Sequence, residues 1–119
     1  MVLVDTSVWI EHLRHGNGQL ARLLEAGDVV CHPLVIGELA CGSLRERQTI
    51  LDLLSALPQA DHAADNRILS FIETQRLPGQ GIGLIDVHLV YGAVAGSHRL
   101  WTHDRSLRRI AARLGVAWA

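Results

Sequence analysis

Four carboxylates in this chain stand where chemistry would put them. Asp5 closes the apolar run Val2-Leu3-Val4 and is followed at once by two hydroxyl residues, Thr6 and Ser7. Glu38 lies inside Leu34-Val35-Ile36-Gly37-Glu38-Leu39-Ala40, where an apolar residue would be expected. Asp86 lies in the first turn of Leu84-Ile85-Asp86-Val87-His88-Leu89, again among apolar neighbours. Asp104 follows Leu100-Trp101-Thr102 and opens a basic helix. Acids are seldom buried unless paired or bound to a metal. If the four converge, like charges at close range cannot all stay ionised without a cation. An all-oxygen donor set favours a hard ion, Mg²⁺ or Mn²⁺, over zinc. Each acid also has a plainer reading: Asp5, Asp86 and Asp104 as helix caps, Glu38 as a residue facing water.

Other chemistries find less support. His12 and His15 are one helical turn apart, but a zinc site would need a third ligand that the sequence does not nominate. His88, two positions after Asp86, points away from it on a helix; a supporting or substrate-facing role for His88 or His103 stays open. The glycine-rich stretch Pro78 to Gly83 is no phosphate-binding P-loop, because the chain contains no lysine. A phosphoacceptor of the receiver type would want that lysine opposite Asp5. A phosphatase of the Asp-x-Asp type would want an acid where Ser7 stands.

These side chains must be positioned by regular elements. Val2 to Val4 reads as a strand buried on both faces, as in a parallel sheet, and Thr6 or Ser7 can cap the helix that runs from Thr6 to His15. Gly16-Asn17-Gly18 breaks that helix. A short helix carries Leu20, Leu23 and Leu24, a strand runs from Asp28 to Cys31, and Pro33 opens a helix ending near Gly42. Helices are predicted for Arg45 to Leu57 and Ala63 to Arg76, with Pro58 to Asp61 as a loop. Helix Leu84 to Ala95, strand Arg99 to Thr102, helix Arg105 to Leu114 and a final edge strand Val116-Ala117-Trp118 complete the chain. This alternation predicts an α/β sandwich around a mainly parallel sheet, with residues 1–119 as one domain. Asp5 and Asp104 then fall at the carboxyl ends of strands, where open α/β sheets bind their ligands.

The bulk composition agrees. Hydrophobic residues make up 49% of the 119 positions, enough to fill a core, while aromatics are only 4%. A formal net charge of -1 exerts no global pull on nucleic acid or anionic membranes. All 11 basic residues are arginine, five of them (Arg99, Arg105, Arg108, Arg109, Arg113) near the end, either a solvated helix face or forks for phosphate. Cys31 and Cys41 form no C-x-x-C motif and are expected as reduced, buried thiols of a cytoplasmic protein.

Taken in order, Val4 to Ile10 (Val-Asp-Thr-Ser-Val-Trp-Ile), Ile36 to Leu39 (Ile-Gly-Glu-Leu), Leu84 to Leu89 (Leu-Ile-Asp-Val-His-Leu) and Leu100 to Arg105 (Leu-Trp-Thr-His-Asp-Arg) resemble the PIN domain, and more narrowly the VapC-type toxins of bacterial toxin–antitoxin modules. The resemblance implies a three-layer α/β/α sandwich and a Mg²⁺- or Mn²⁺-dependent endoribonuclease neutralised by a VapB-type antitoxin, with a homodimer expected. It makes Asp5 and Asp86 direct metal ligands and Asp104 a further ligand, direct or through water. Glu38 would hold a second ion or orient the attacking water. Thr6 and Thr102 would steady the carboxylates, and Arg105, Arg108 or Arg109 would hold RNA phosphates. A DNA-cleaving relative and an inactive PIN-like binding module are the alternatives; the second would be expected to have lost one or more of the four acids.

Overall fold

A computed structural model describes residues 1–118. Among them the order is β1 (Val2–Val4), α1 (Thr6–His15), α2 (Gly18–Glu25), β2 (Val29–Val30), α3 (Pro33–Cys41), α4 (Arg47–Ala56), α5 (Asp65–Thr74), α6 (Leu84–Gly96), β3 (Arg99–Trp101) and α7 (Arg105–Arg113). The central strand is β1. It pairs in parallel with β2 through Val2–Val29 and Leu3–Val30, and with β3 through Val2–Arg99, Leu3–Leu100 and Val4–Trp101. All three β1 residues are buried, the pattern of a strand covered on both faces.

Single parallel bridges widen the sheet at each edge, Cys31 with Gln59 and Leu100 with Ala117. The second is the expected final strand, reduced to one bridged pair. The first falls in Pro58 to Asp61, which the sequence pattern assigns to a loop. Cys31 N–H donates to Pro58 O at 2.8 Å and Ala60 N–H to Cys31 O at 2.7 Å, so this short stretch satisfies the exposed edge of β2.

The path of the chain places the layers. From β1 it steps to β2 and on to Gln59 in one direction, then crosses back over β1 to β3 and on to Ala117. Right-handed crossovers put the helices of the first two steps on one face and those of the last two on the other. The packing agrees: α1 meets α3 and α3 meets α4, whereas α6 meets α5, α7 and β3. The result is an α/β/α sandwich. Gly92 lets α6 approach the sheet closely, since a Cβ there would sit 3.4 Å from Ala60 Cβ and 3.6 Å from Leu3 Cδ2.

Local departures from the sequence reading have local causes. Helix α4 begins at Arg47, two residues late, because Glu46 adopts a left-handed conformation with φ 49° and ψ 48°. Asn17, read as part of a break, caps α2 by accepting from Leu20 N–H at 3.0 Å. Cys31 is buried as expected and its thiol is pushed up to about 11 by desolvation, whereas Cys41, on the last turn of α3, is exposed. No helix among the described residues is long and apolar enough to cross a membrane.

For the chemistry, one consequence of the topology matters most. β1 feeds α1 on one face and β3 feeds α7 on the other, so the two loops part above the sheet. The crevice at such a switch point, outside the carboxyl ends of the strands, is where α/β sheets bind ligands.

Candidate active site

Asp5 sits at the floor of that crevice. Its N–H donates to Trp101 O at 2.9 Å, a last ladder bond between the ends of β1 and β3. It holds the N-cap position of α1, but there the expectation of a Thr6 or Ser7 cap fails. Asp5 contributes its carbonyl to Val8 and Trp9 N–H, and its side chain makes no capping bond. The carboxylate, only 7% exposed, is instead held by hydroxyls: Oδ2 accepts from Thr102 Oγ1 at 2.7 Å and from Ser7 Oγ at 2.8 Å. Hydrogen bonds to an ionised acceptor are the strong kind. Both fall on one oxygen, so among the described residues Oδ1 has no donor and stays available.

The same hydroxyls bind the loop after β3. Thr102 Oγ1 accepts from Asp104 N–H at 3.0 Å, and Ser7 Oγ accepts from His103 N–H at 3.1 Å. Asp104 caps α7, its Oδ1 accepting from Leu107 N–H at 2.9 Å, and it is exposed. The cap reading and the site reading of Asp104 are therefore compatible, because one oxygen serves each.

The two remaining acids come from opposite helical layers. Glu38, on α3, is exposed rather than buried, yet it is not idle: Oε1 accepts from Thr6 Oγ1 at 2.6 Å, tying α3 to the first turn of α1. Asp86, in the first turn of α6, is half-buried, and its Oδ2 accepts from Gly83 N–H at 3.3 Å. Burial pushes the Asp86 carboxyl up; the Gly83 amide offsets part of this, and the charges of Asp5, Asp104 and Glu38 push it further. All four carboxylates thus lie within electrostatic reach of one point.

Among the described residues no group of three His, Cys, Asp or Glu side chains is placed to hold a metal ion. The donor set nonetheless fits a hard divalent cation. It is all oxygen, crowded with like charge, and Asp5 is oriented by hydroxyls on one side only.

Sequence reasoning saw Ser7 only as a cap; its signal was the spacing, two residues past an acid at a strand end. Thr6 and Thr102 steady carboxylates as expected, Thr6 on Glu38 and Thr102 on Asp5. The histidines lie elsewhere. His12 Nδ1 accepts from Asn17 N–H at 3.0 Å, and His103 Nε2 meets Glu11 Oε2 at 3.1 Å. His88 does turn away from Asp86, towards buried His32 and exposed His62, the three ring centroids lying 5.1 to 6.0 Å apart. That group is a poor metal site: His32 Nδ1 accepts from Leu34 N–H at 3.0 Å, so its Nε2 must carry the proton. Of the arginines, Arg108 Nη2 donates to Thr102 O at 3.3 Å and Arg109 Nη2 to Gln80 O at 3.1 Å, so both brace loops beside the site; Arg105 is exposed next to Asp104.

The model of the PIN domain family matches residues 2–113. The chain is also 47% identical, over 121 aligned positions, to Ribonuclease VapC32 of Mycobacterium tuberculosis, in strain CDC 1551 / Oshkosh and equally in strain ATCC 25618 / H37Rv. The alignment covers all of this chain and 97% of each relative. The chain belongs to the PIN domain family, in its VapC-type branch. In this PIN domain the acids at positions 5, 38 and 104 each act electrostatically on the carboxyl at position 86.

Proposed function

We propose that this PIN domain protein is a divalent-metal-dependent endoribonuclease, the toxin of a VapBC-type toxin–antitoxin module. One observation carries the reading: Thr102 and Ser7 both bond Asp5 Oδ2 and leave Oδ1 without a donor among the described residues, while Asp5, Asp104 and Glu38 all act electrostatically on the half-buried Asp86. Charge crowded in this way calls for a cation. Similarity to proteins named Ribonuclease VapC32 supports RNA as the substrate and a VapB-type antitoxin as the partner. A homodimer is part of the same proposal.

Asp5 and Asp86 are assigned as direct ligands of Mg²⁺ or Mn²⁺. Asp104 adds a ligand through the oxygen its cap bond leaves free. Glu38 holds a second ion or orients water. A divalent ion held by these residues would supply Lewis acidity to the phosphodiester and would lower the pKa of a bound water, so that its hydroxide form is available to attack phosphorus. The protein's own part is preorganisation. Thr102 and Ser7 fix Asp5 Oδ2 so that Oδ1 faces the ligand position, and Thr6 fixes Glu38 at the crevice edge.

The test is the chemistry of the products. Antitoxin-free protein incubated with cellular RNA and Mg²⁺ or Mn²⁺ is expected to give fragments with 5′-phosphate and 3′-hydroxyl ends, and none in a chelator. Cyclic phosphate ends, or cleavage indifferent to chelation, would overturn the mechanism. Cleavage of DNA alone would overturn the substrate.

A further inference from the structure

A cavity of about 650 Å³ opens between α1 and the corner joining α3 to α4, and Glu38 forms part of its wall. Glu38 is the one residue this cavity shares with the four-acid set. Along α1, Thr6 touches Glu38 while Ile10, Leu13 and Arg14, on the same helix face, line the cavity. The rise of a helix puts Arg14 roughly 12 Å from Thr6. Across the cavity stands Arg45, and Leu44 and Ile50 give the wall an apolar face. Among the described residues neither Arg14 nor Arg45 lies within ion-pair distance of a carboxylate. Glu46 is the one acid lining the cavity outside the proposed metal set.

We propose that this cavity is the subsite that holds single-stranded RNA beside the cleaved bond, with Arg14 and Arg45 on the backbone phosphates and an unstacked base against the aliphatic wall. The proposal rests on the nuclease reading above and deepens it. A strand led over four carboxylates is repelled there, so binding must come from cations flanking the site rather than within it. Two unpaired guanidiniums have the fork that fits phosphate. The volume falls in the range of sites that enclose a ligand of nucleotide size. The open apolar wall of Leu44 and Ile50 suits a base free of its stack, which is how single strands rather than duplexes are read.

The test separates binding from cleavage. A short labelled single-stranded RNA pool is titrated with protein, Ca²⁺ replacing Mg²⁺, over a range of salt concentrations. Arg14→Gln and Arg45→Gln are each expected to weaken binding and to reduce the slope of log affinity against log salt by about 0.7, the value for one single-strand phosphate contact. Glu46→Gln is expected to tighten binding. Melting temperatures confirm that each variant is folded. Slopes unchanged in both folded arginine variants would overturn the subsite. So would equal affinity for a blunt RNA duplex, or variants that lose only antitoxin binding. Arginine-dependent RNA binding by a protein that never cleaves RNA would uphold the subsite and sink the nuclease reading, so the two failures are distinguishable.

Discussion

Thr102 Oγ1 donates to Asp5 Oδ2 at 2.7 Å, joining the ends of β3 and β1 across 97 positions of sequence. The same oxygen accepts the Asp104 N–H at 3.0 Å, so one hydroxyl sets the position of two of the four acids. Thr102 is itself buried, so a partner lost from its hydroxyl leaves a polar group unsatisfied.

Replacing Thr102 with Val removes that hydroxyl at nearly constant volume. The Asp5 carboxylate loses a charge-assisted bond and Asp104 N–H loses its acceptor. Groups that orient metal ligands typically contribute about 10- to 100-fold in metal affinity or activity. The expected outcome is a loss of that size in cleavage rate with a higher Mg²⁺ requirement. Thr102→Ser, which keeps the hydroxyl, is expected to retain most activity. Metal titrations of the cleavage rate read both.

Charge crowding predicts opposite effects of one substitution on stability and on activity. Without metal, Asp86→Asn removes repulsion with Asp5, Asp104 and Glu38 and the cost of burying a charge, so the variant is expected to melt a few degrees higher than the parent protein. Adding Mg²⁺ is expected to raise the melting temperature of the parent protein and to do much less for the variant. Paired melting curves with Mg²⁺ and with chelator check this. A variant that melts lower in chelator would contradict the crowding.

His32 makes stability depend on pH. Burial, then the neighbouring His62 and His88, lower its pKa from 6.5 to about 4, with the Asp61 backbone offsetting a little. The unfolded chain therefore takes up the proton first as pH falls, and folding loses stability between the unfolded value near 6.5 and the folded value near 4. The linkage for this one group is about 2 kcal/mol between pH 7.5 and pH 5. Urea unfolding at the two pH values measures it. His32→Asn preserves an acceptor for the Leu34 N–H cap and is expected to flatten the pH dependence, whatever its effect on stability at neutral pH.

Arg109 braces a loop beside the site. Its Nη2 holds Gln80 O at 3.1 Å, within the segment Pro78 to Gly83 that leads into α6 and Asp86. Gly81 in that segment has φ 81°, and a Cβ there would lie 3.1 Å from Ser106 Oγ, so the loop fits α7 closely. Arg109→Ala is expected to speed proteolysis within this segment while leaving the salt dependence of RNA binding unchanged. A reduced salt slope would return Arg109 to the phosphate contacts the sequence suggested.

The fold was legible wherever a local pattern had a single physical meaning. The apolar run Val2 to Val4 ends in an acid because a buried strand must emerge at its carboxyl end, and the acid after Thr102 repeats the device at the next strand. Pro33 and the Gly16-Asn17-Gly18 break marked helix limits for the same reason. The Gln59 edge pairing was not legible, because it consists of backbone bonds from Cys31 to Pro58 and Ala60 and needs no particular side chains. Nor was the exposure of Cys41, which depends on where α3 stops packing on α1.

At the site, residue type announced the four acids, but only the folded chain says what holds them. Ser7 lies two residues from Asp5 in sequence, whereas its bond to His103 N–H joins residues 96 positions apart, a distance no spacing rule spans. The arginines of α7 show the converse. Their charge pattern suggested phosphate, and Arg108 and Arg109 are nonetheless bound to carbonyls of Thr102 and Gln80.

The most direct measurement is cleavage of cellular RNA by the purified, antitoxin-free protein and by Asp86→Asn, across a titration of Mg²⁺ and Mn²⁺. The expected result is discrete fragments from the parent protein that appear with metal, vanish with chelator and are absent from the folded variant at every metal concentration. Cleavage that survives Asp86→Asn would contradict the assignment of the crevice between β1 and β3 as the catalytic centre.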